Sequence, residues 1–275
     1  MTVTEPATEP TAWPAAVLLD MDGLLVDTEH LWTISEEELA ARYGRRFTPT
    51  MKNAMVGHGL DTAVPLMLSM LGVDADPAEA ARFLLARTEE IFREPGRIER
   101  RPGAAELLAR LAAARMPTAL VSSSFRSLMD PVLDTLGREF FTVTVAGDEV
   151  ARRKPFPDPY LVAAAALEVD PARCVVLEDS TTGALAGLRA GCVTVLVPSL
   201  PDLPSLAEVA AQAEAAAASG AAAAALAAAG APGALGAPMA GGADVGELAG
   251  RLLRADTLHD VTPAFLATLA PAAAH

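Results

Sequence analysis

The chain has 275 residues, 52% of them hydrophobic, and a mean hydropathy of +0.31 raised by alanine, enough for a sizeable core in one large domain or two modest ones. With 35 acidic against 21 basic residues the formal net charge is −14, which excludes a basic nucleic-acid-binding face. No leucine- or valine-rich run of about 20 residues reads as a membrane span. The start, with Glu5, Pro6, Glu9 and Pro10, lacks the basic and apolar parts of a signal peptide. Cys174 and Cys192 sit in apolar, strand-like runs and read as reduced, buried structural thiols of a cytoplasmic protein. The lysines are Lys52 and Lys154 alone, while arginine and alanine abound, a bias that points to a GC-rich bacterial genome.

Residues 1–14 read as a disordered leader. Residues 17–19 are a buried strand, closed by Asp20 and Asp22 on either side of Met21, and Gly23 then turns the chain. Residues 29–97 show only helical spacing. Ile34, Leu39 and Tyr43 mark one apolar stripe, Val64, Met67, Leu68 and Leu71 a second, and Phe83, Leu84, Ile91 and Phe92 a third. From residue 103 onward strands and helices alternate. Helices are predicted at 103–114, 126–136, 158–167 and 182–190, the third with Asp158 as N-cap and the last ended by Gly191. Strands are predicted at 118–121, 141–146, 174–177 and 193–197. Residues 207–243 are an alanine- and glycine-rich low-complexity segment, in which 221–229 has helical propensity but little to bury. Residues 245–254 read as helical, and 258–269 as a short strand and a terminal helix.

Strands separated by helices imply right-handed crossovers and a parallel sheet covered on both faces. The fold class is therefore α/β, a doubly wound Rossmann-like sheet with an inserted all-helical cap. The core takes residues 15–28 and 98–200, the cap 29–97, and 244–275 the C-terminal part of the core. An insert whose ends lie beside the first strand is well placed to act as a lid.

In open α/β sheets chemistry gathers outside the carboxyl ends of the strands. Four segments fall there: Asp20 and Asp22; Ser122, Ser123 and Ser124; Lys154 before Pro155; and Glu178 and Asp179. Two carboxylates one residue apart call for a cation or a proton between them. Carboxylates, a hydroxyl and an ammonium together suit phosphoryl transfer with a hard divalent cation, Mg²⁺. Asp20 and Asp179 supply two carboxylates and Asp22 its backbone carbonyl. Asp20 attacks phosphorus as a carboxylate nucleophile, and Asp22 protonates the leaving oxygen and then activates water. Ser122, Ser123 and the amides near a helix start suit phosphate oxygens, and Lys154 adds a point charge that the net charge of −14 makes necessary.

Each segment has a plainer reading. Asp-x-Asp-Gly also opens a calcium loop, but no glutamate follows at the required spacing. The serines could only cap a helix, Lys154 could be a solvated charge, and Glu178 and Asp179 could favour a helix start electrostatically. His58, between two glycines, reads equally as a loop residue or a lid residue on substrate, and Trp32 reads as part of the insert's core.

The segments DMDGLLVDTE, LVSSS, KPFPDPY and LEDSTTG together resemble, in order, the four motifs of the haloacid dehalogenase superfamily, in its beta-phosphoglucomutase-like phosphatase branch. The resemblance covers residues 17–198, with the helical insert in the cap position. It implies Asp20 as nucleophile, Asp22 as acid/base, Ser122 and Lys154 on the phosphoryl group, and Mg²⁺ held by Asp20, Asp22 and Asp179 with Glu178 behind them. Asp22 argues against carbon–halogen chemistry. Beta-phosphoglucomutases carry a cap histidine near the position of Trp32, and an arginine after the glycine matching Gly57; here His58, Gly59 and Leu60 follow. The implied activity is Mg²⁺-dependent hydrolysis of a small phosphate monoester, sugar phosphate or phosphoglycolate-like, by a monomer or weak dimer. A phosphomutase and a non-catalytic binding protein on the same fold are the alternatives.

Overall fold

The computed structural model describes residues 13–55, 59–199, 203–211, 248 and 250–270. The expectations for the leader up to residue 12, for His58 and Gly57, and for the alanine-rich stretch from residue 212 lie outside them.

Six parallel strands form one sheet in the order β5-β4-β1-β6-β7-β8. They are β1 (Ala16–Leu19), β4 (Thr118–Val121), β5 (Val143–Val145), β6 (Cys174–Glu178), β7 (Val193–Leu196) and β8 (Leu252–Arg254). The helices between them are α5 (Ala104–Ala113), α6 (Arg126–Leu136), α7 (Asp158–Ala166) and α8 (Thr181–Arg189). Strands β1, β4 and β6 are buried along their whole length, as continuous apolar runs on a sheet covered on both sides must be. Alternate residues serve opposite faces. Val17, Leu19, Leu120, Val175 and Leu177 pack with α5 and α6, while Ala16, Leu18, Ala119, Val121 and Val176 pack against Tyr160, Ala163 and Ala164 of α7.

After β1 the chain forms a two-stranded antiparallel ribbon of β2 (Val26–Asp27) and β3 (Glu99–Arg100). Among the described residues the regular elements between these strands are all helices: α1 (Glu29–Arg42), α2 (Pro49–Met55), α3 (Leu60–Leu71) and α4 (Pro77–Phe92). Gly72 stops α3 in the left-handed region, and Asp76 starts α4 by accepting the Ala78 amide at 2.9 Å. These helices bury their own cluster of Leu39, Met51, Met55, Val64, Met67, Leu68 and Leu84, whereas Leu31, Ile91 and Phe92 join the core beside the sheet. Trp32 packs on that same core, partly buried.

The C-terminal expectations need correction. Residues 252–254 are not helical but form β8, pairing Leu252 with Thr194 and Arg254 with Leu196. The open edge of β7 claims backbone hydrogen bonds there, and edge pairing overrides helical spacing. The short strand expected after residue 258 is a turn, followed by α9 (Pro263–Thr268), whose cap Thr262 accepts the Phe265 amide at 3.0 Å. Asp158 is the first residue of α7 rather than its cap, and its carboxylate takes the Arg152 guanidinium instead. Among the described residues no helix is long and apolar enough to cross a membrane.

Candidate active site

Register brings the site together. Leu19 stands beside Leu120 on one side and Leu177 on the other, so β1, β4 and β6 end level with one another. Asp20 follows β1, Ser122 follows β4 and Glu178 closes β6. The Asp20 amide still donates to Leu177 O at 3.0 Å, which fixes the backbone where the strand stops.

Lys154 is the cationic centre. Its Nζ donates to Asp20 Oδ1 at 2.5 Å, Glu178 Oε1 at 2.6 Å and Val121 O at 2.9 Å. Burial alone would depress this ammonium, but Asp20 and Glu178 outweigh it and hold the group above its usual range. Glu178 is fully buried and saturated: Oε1 also accepts Tyr160 Oη at 2.6 Å, and Oε2 accepts Ser180 Oγ at 3.1 Å.

Asp22 makes a second centre. Its Oδ1 accepts Thr28 Oγ1 at 2.6 Å, and its Oδ2 accepts Ser122 Oγ at 3.0 Å and Ser124 Oγ at 2.8 Å. Burial pushes this carboxyl up and the three hydroxyls pull it partly back, so it stays above its ordinary value. Asp179 faces the same space, accepting Ser199 Oγ at 2.5 Å. Gly23 makes room for it: φ is +83°, and a Cβ there would stand 2.0 Å from Asp179 Oδ2.

Carboxylate oxygens of Asp20, Glu178 and Asp179 lie within 4.8 Å of one another, all three residues buried. One ammonium does not balance three carboxylates. Burial, with Glu178 next, pushes Asp20 well up, and the same causes raise Asp179 to about 7. Among the described residues no donor reaches Asp20 Oδ2 or Asp179 Oδ1. This oxygen-only, charge-deficient set fits a hard divalent cation, and the saturation of Glu178 leaves Asp20 and Asp179 as the carboxylates with an oxygen to offer.

The structure thus gathers Asp20, Asp22, Ser122, Lys154, Glu178 and Asp179 into one place. Ser123, half-buried, contributes no hydrogen bond to the cluster; its carbonyl packs against Gly147. Two amides of the loop and helix start after Ser122 are engaged internally, Ser124 N by Ser122 Oγ at 2.9 Å and Arg126 N by Asp148 at 2.8 Å. Sequence reasoning gave Thr28, Ser124, Tyr160 and Ser199 no bonding role, although Ser124 stood in the serine run after a buried strand and Thr28 in the DMDGLLVDTE segment.

A family model for haloacid dehalogenase-like hydrolases matches residues 14–191. The chain belongs to this family. It is 32% identical, over 66% of its length and 78% of the relative's, to (DL)-glycerol-3-phosphatase 2 of Arabidopsis thaliana. It is also 32% identical over 68% of its length to the bifunctional riboflavin kinase/FMN phosphatase of the same plant, of which it spans 49%. Among solved structures, a CbbY mutant from Rhodobacter sphaeroides in complex with xylulose-(1,5)bisphosphate superposes with a TM-score of 0.60 at 29% identity, covering 67% of this chain and 86% of that one.

Proposed function

We propose that this hydrolase cleaves a small phosphate monoester, a sugar phosphate or phosphoglycolate-like ester, by transferring its phosphoryl group to Asp20. The convergence of Asp20, Lys154 and Asp22 at the level ends of β1, β4 and β6 carries the reading. The names of the relatives, which mention glycerol phosphate and a sugar bisphosphate, support the substrate class.

Lys154 neutralises Asp20 through Oδ1, and an Asp20 carboxylate oxygen attacks phosphorus to form an acyl phosphate as the alkoxide leaves. Asp22, its carboxyl raised by burial, gives a proton to the departing alkoxide. As a carboxylate it then takes a proton from the water that hydrolyses the acyl phosphate, returning both aspartates to their starting state. Thr28, Ser122 and Ser124 fix its two oxygens throughout. Mg²⁺, held by Asp20, Asp179 and the backbone carbonyl of Asp22, supplies charge neutralisation and a clamp on the phosphoryl oxygens when bound. Helices α1–α4, entering and leaving through the β2–β3 ribbon beside Asp22, serve as the lid that excludes bulk water.

Phosphate release from a panel of monoesters with Mg²⁺ tests this. Release from glycerol, sugar or glycolate phosphates supports the hydrolase. Isomerised sugar phosphate with little free phosphate, dependent on a bisphosphate activator, would establish the mutase instead. Ligand binding without either product would leave a binding protein.

A further inference from the structure

Two adjacent arginines precede Lys154, and the fold treats them in opposite ways. Arg152 is exposed, bonds Asp158 at 2.9 Å and lies over the Phe156 ring. Arg153 is half-buried. Its Nε donates to Gly147 O at 3.0 Å, and its guanidinium lies 4.4 Å from the centroid of the Phe125 ring. Among the described residues no carboxylate forms an ion pair with it, although Arg87 and Arg126 each bond a glutamate.

Its position is set by three loops that meet at the site. A Cβ on Gly147 would stand 2.1 Å from Ser123 O and 3.1 Å from Arg153 Nε, so the loops after β4 and β5 and the segment before Lys154 leave one another no slack. The next residue reaches Asp20. The acidic charges that act on Arg153 do so from beyond contact: Asp61, in the first turn of α3, and Asp148. Asp61 belongs to the helical insert and Asp148 to the loop after β5, and the segment that carries Arg153 continues directly into Lys154 at the site.

A sheltered, unpaired cation is costly, and this chain has 35 acidic residues with which to pair one. We propose that Arg153 recognises a second anionic group, carboxylate or phosphate, on the alcohol portion of the substrate. This rests on the phosphatase reading above and narrows it to phosphocarboxylates and bisphosphates. The chemistry suits the residue. Stacking on Phe125 and the Nε bond hold the guanidinium plane, and the two terminal nitrogens present the fork that matches either anion bidentately.

The test compares two esters that differ in the group concerned: phosphoglycolate, with a carboxylate, and ethylene glycol monophosphate, with a hydroxymethyl group in its place. The full-length protein is assayed with Mg²⁺ as wild type, Arg153→Met and Arg153→Lys. Wild type should favour phosphoglycolate. Arg153→Met should reduce that preference by about 10- to 100-fold, through KM more than kcat, and Arg153→Lys should restore part of it. Equal losses on both esters, as an Arg153–Asp61 contact on closure would give, overturn the proposal, and so does an unchanged preference. Equilibrium binding of phosphoglycolate to Asp20→Asn, with and without Arg153→Met, makes the same comparison without turnover. Arg153-dependent binding with no turnover by the wild type would sink the hydrolase and keep the anion site. Turnover with Arg153-independent selectivity would sink the anion site alone.

Discussion

Thr28 Oγ1 donates to Asp22 Oδ1 at 2.6 Å, and this bond ties the first turn of the helical insert to a carboxylate of the sheet. Thr28 precedes α1 directly, so any movement of α1 against the core is felt at Asp22. Thr28→Val keeps the shape and removes the donor. It should lower kcat about 10- to 150-fold, the value of one hydrogen bond to a charged group. Steady-state kinetics alongside a melting curve checks this; a fall in stability with kcat unchanged would make the bond purely structural.

Asp22→Asn separates proton donation from binding. For an alkyl phosphate, whose alkoxide cannot leave unprotonated, kcat should fall about 10²- to 10⁴-fold. For p-nitrophenyl phosphate, whose phenolate needs no proton, kcat also falls through slowed hydrolysis of the shared acyl phosphate, but first-turnover release of nitrophenolate should fall much less than first-turnover release of the alcohol. Equal first-turnover losses on both esters would remove Asp22 from the role of acid.

Gly23→Ala tests the packing behind Asp179. The new methyl group meets a carboxylate oxygen at 2.0 Å and a backbone at φ +83°. A destabilisation of about 2–4 kcal/mol is expected in urea titrations, with weaker activation by Mg²⁺. Wild-type stability in this variant would mean that Asp179 is free to move.

The Arg126–Glu149 pair makes a pH prediction away from the site. Arg126 bonds both Glu149 oxygens, at 2.8 and 2.6 Å, and holds that carboxyl below its usual range. A carboxyl depressed in the folded state stabilises above its unfolded pKa, and that stability is lost as pH falls through the folded value. The Glu149 side chain is 42% exposed, so solvent screening limits the effect to about 0.5–1 kcal/mol. Glu149→Gln should therefore lower Tm near neutral pH, and the difference should close as pH falls below the ordinary glutamate value of 4.5. A constant difference across that range would deny the ion pair its role.

The sheet was legible because β1, β4 and β6 are buried on both faces and read as unbroken apolar runs. The carboxyl-end residues Asp20 and Glu178 were legible for a related reason, since charge at the close of such a run has few structural uses; Lys154 stood out by the rarity of lysine and its place before Pro155. The partners were not. Thr28, Tyr160 and Ser199 lie 6, 18 and 20 residues from the carboxylates they bond, and the distance is closed by the turn at Gly23 and by crossovers rather than by local spacing. The shelter of Arg153 was not legible either, because nothing in the sequence places Phe125 and Gly147 around it. Strand β8 was misread because its pairing depends on the free edge of β7, a property of the assembled sheet.

The central claim is that Asp20 carries the phosphoryl group. The direct measurement is phosphate release by wild type and Asp20→Asn with Mg²⁺, the folded state of both checked by circular dichroism. The account predicts turnover by the wild type and a loss of more than about 10³-fold in the folded variant, since asparagine offers no anionic nucleophile. Turnover by Asp20→Asn within about tenfold of wild type would contradict it and move the attack on phosphorus to another group.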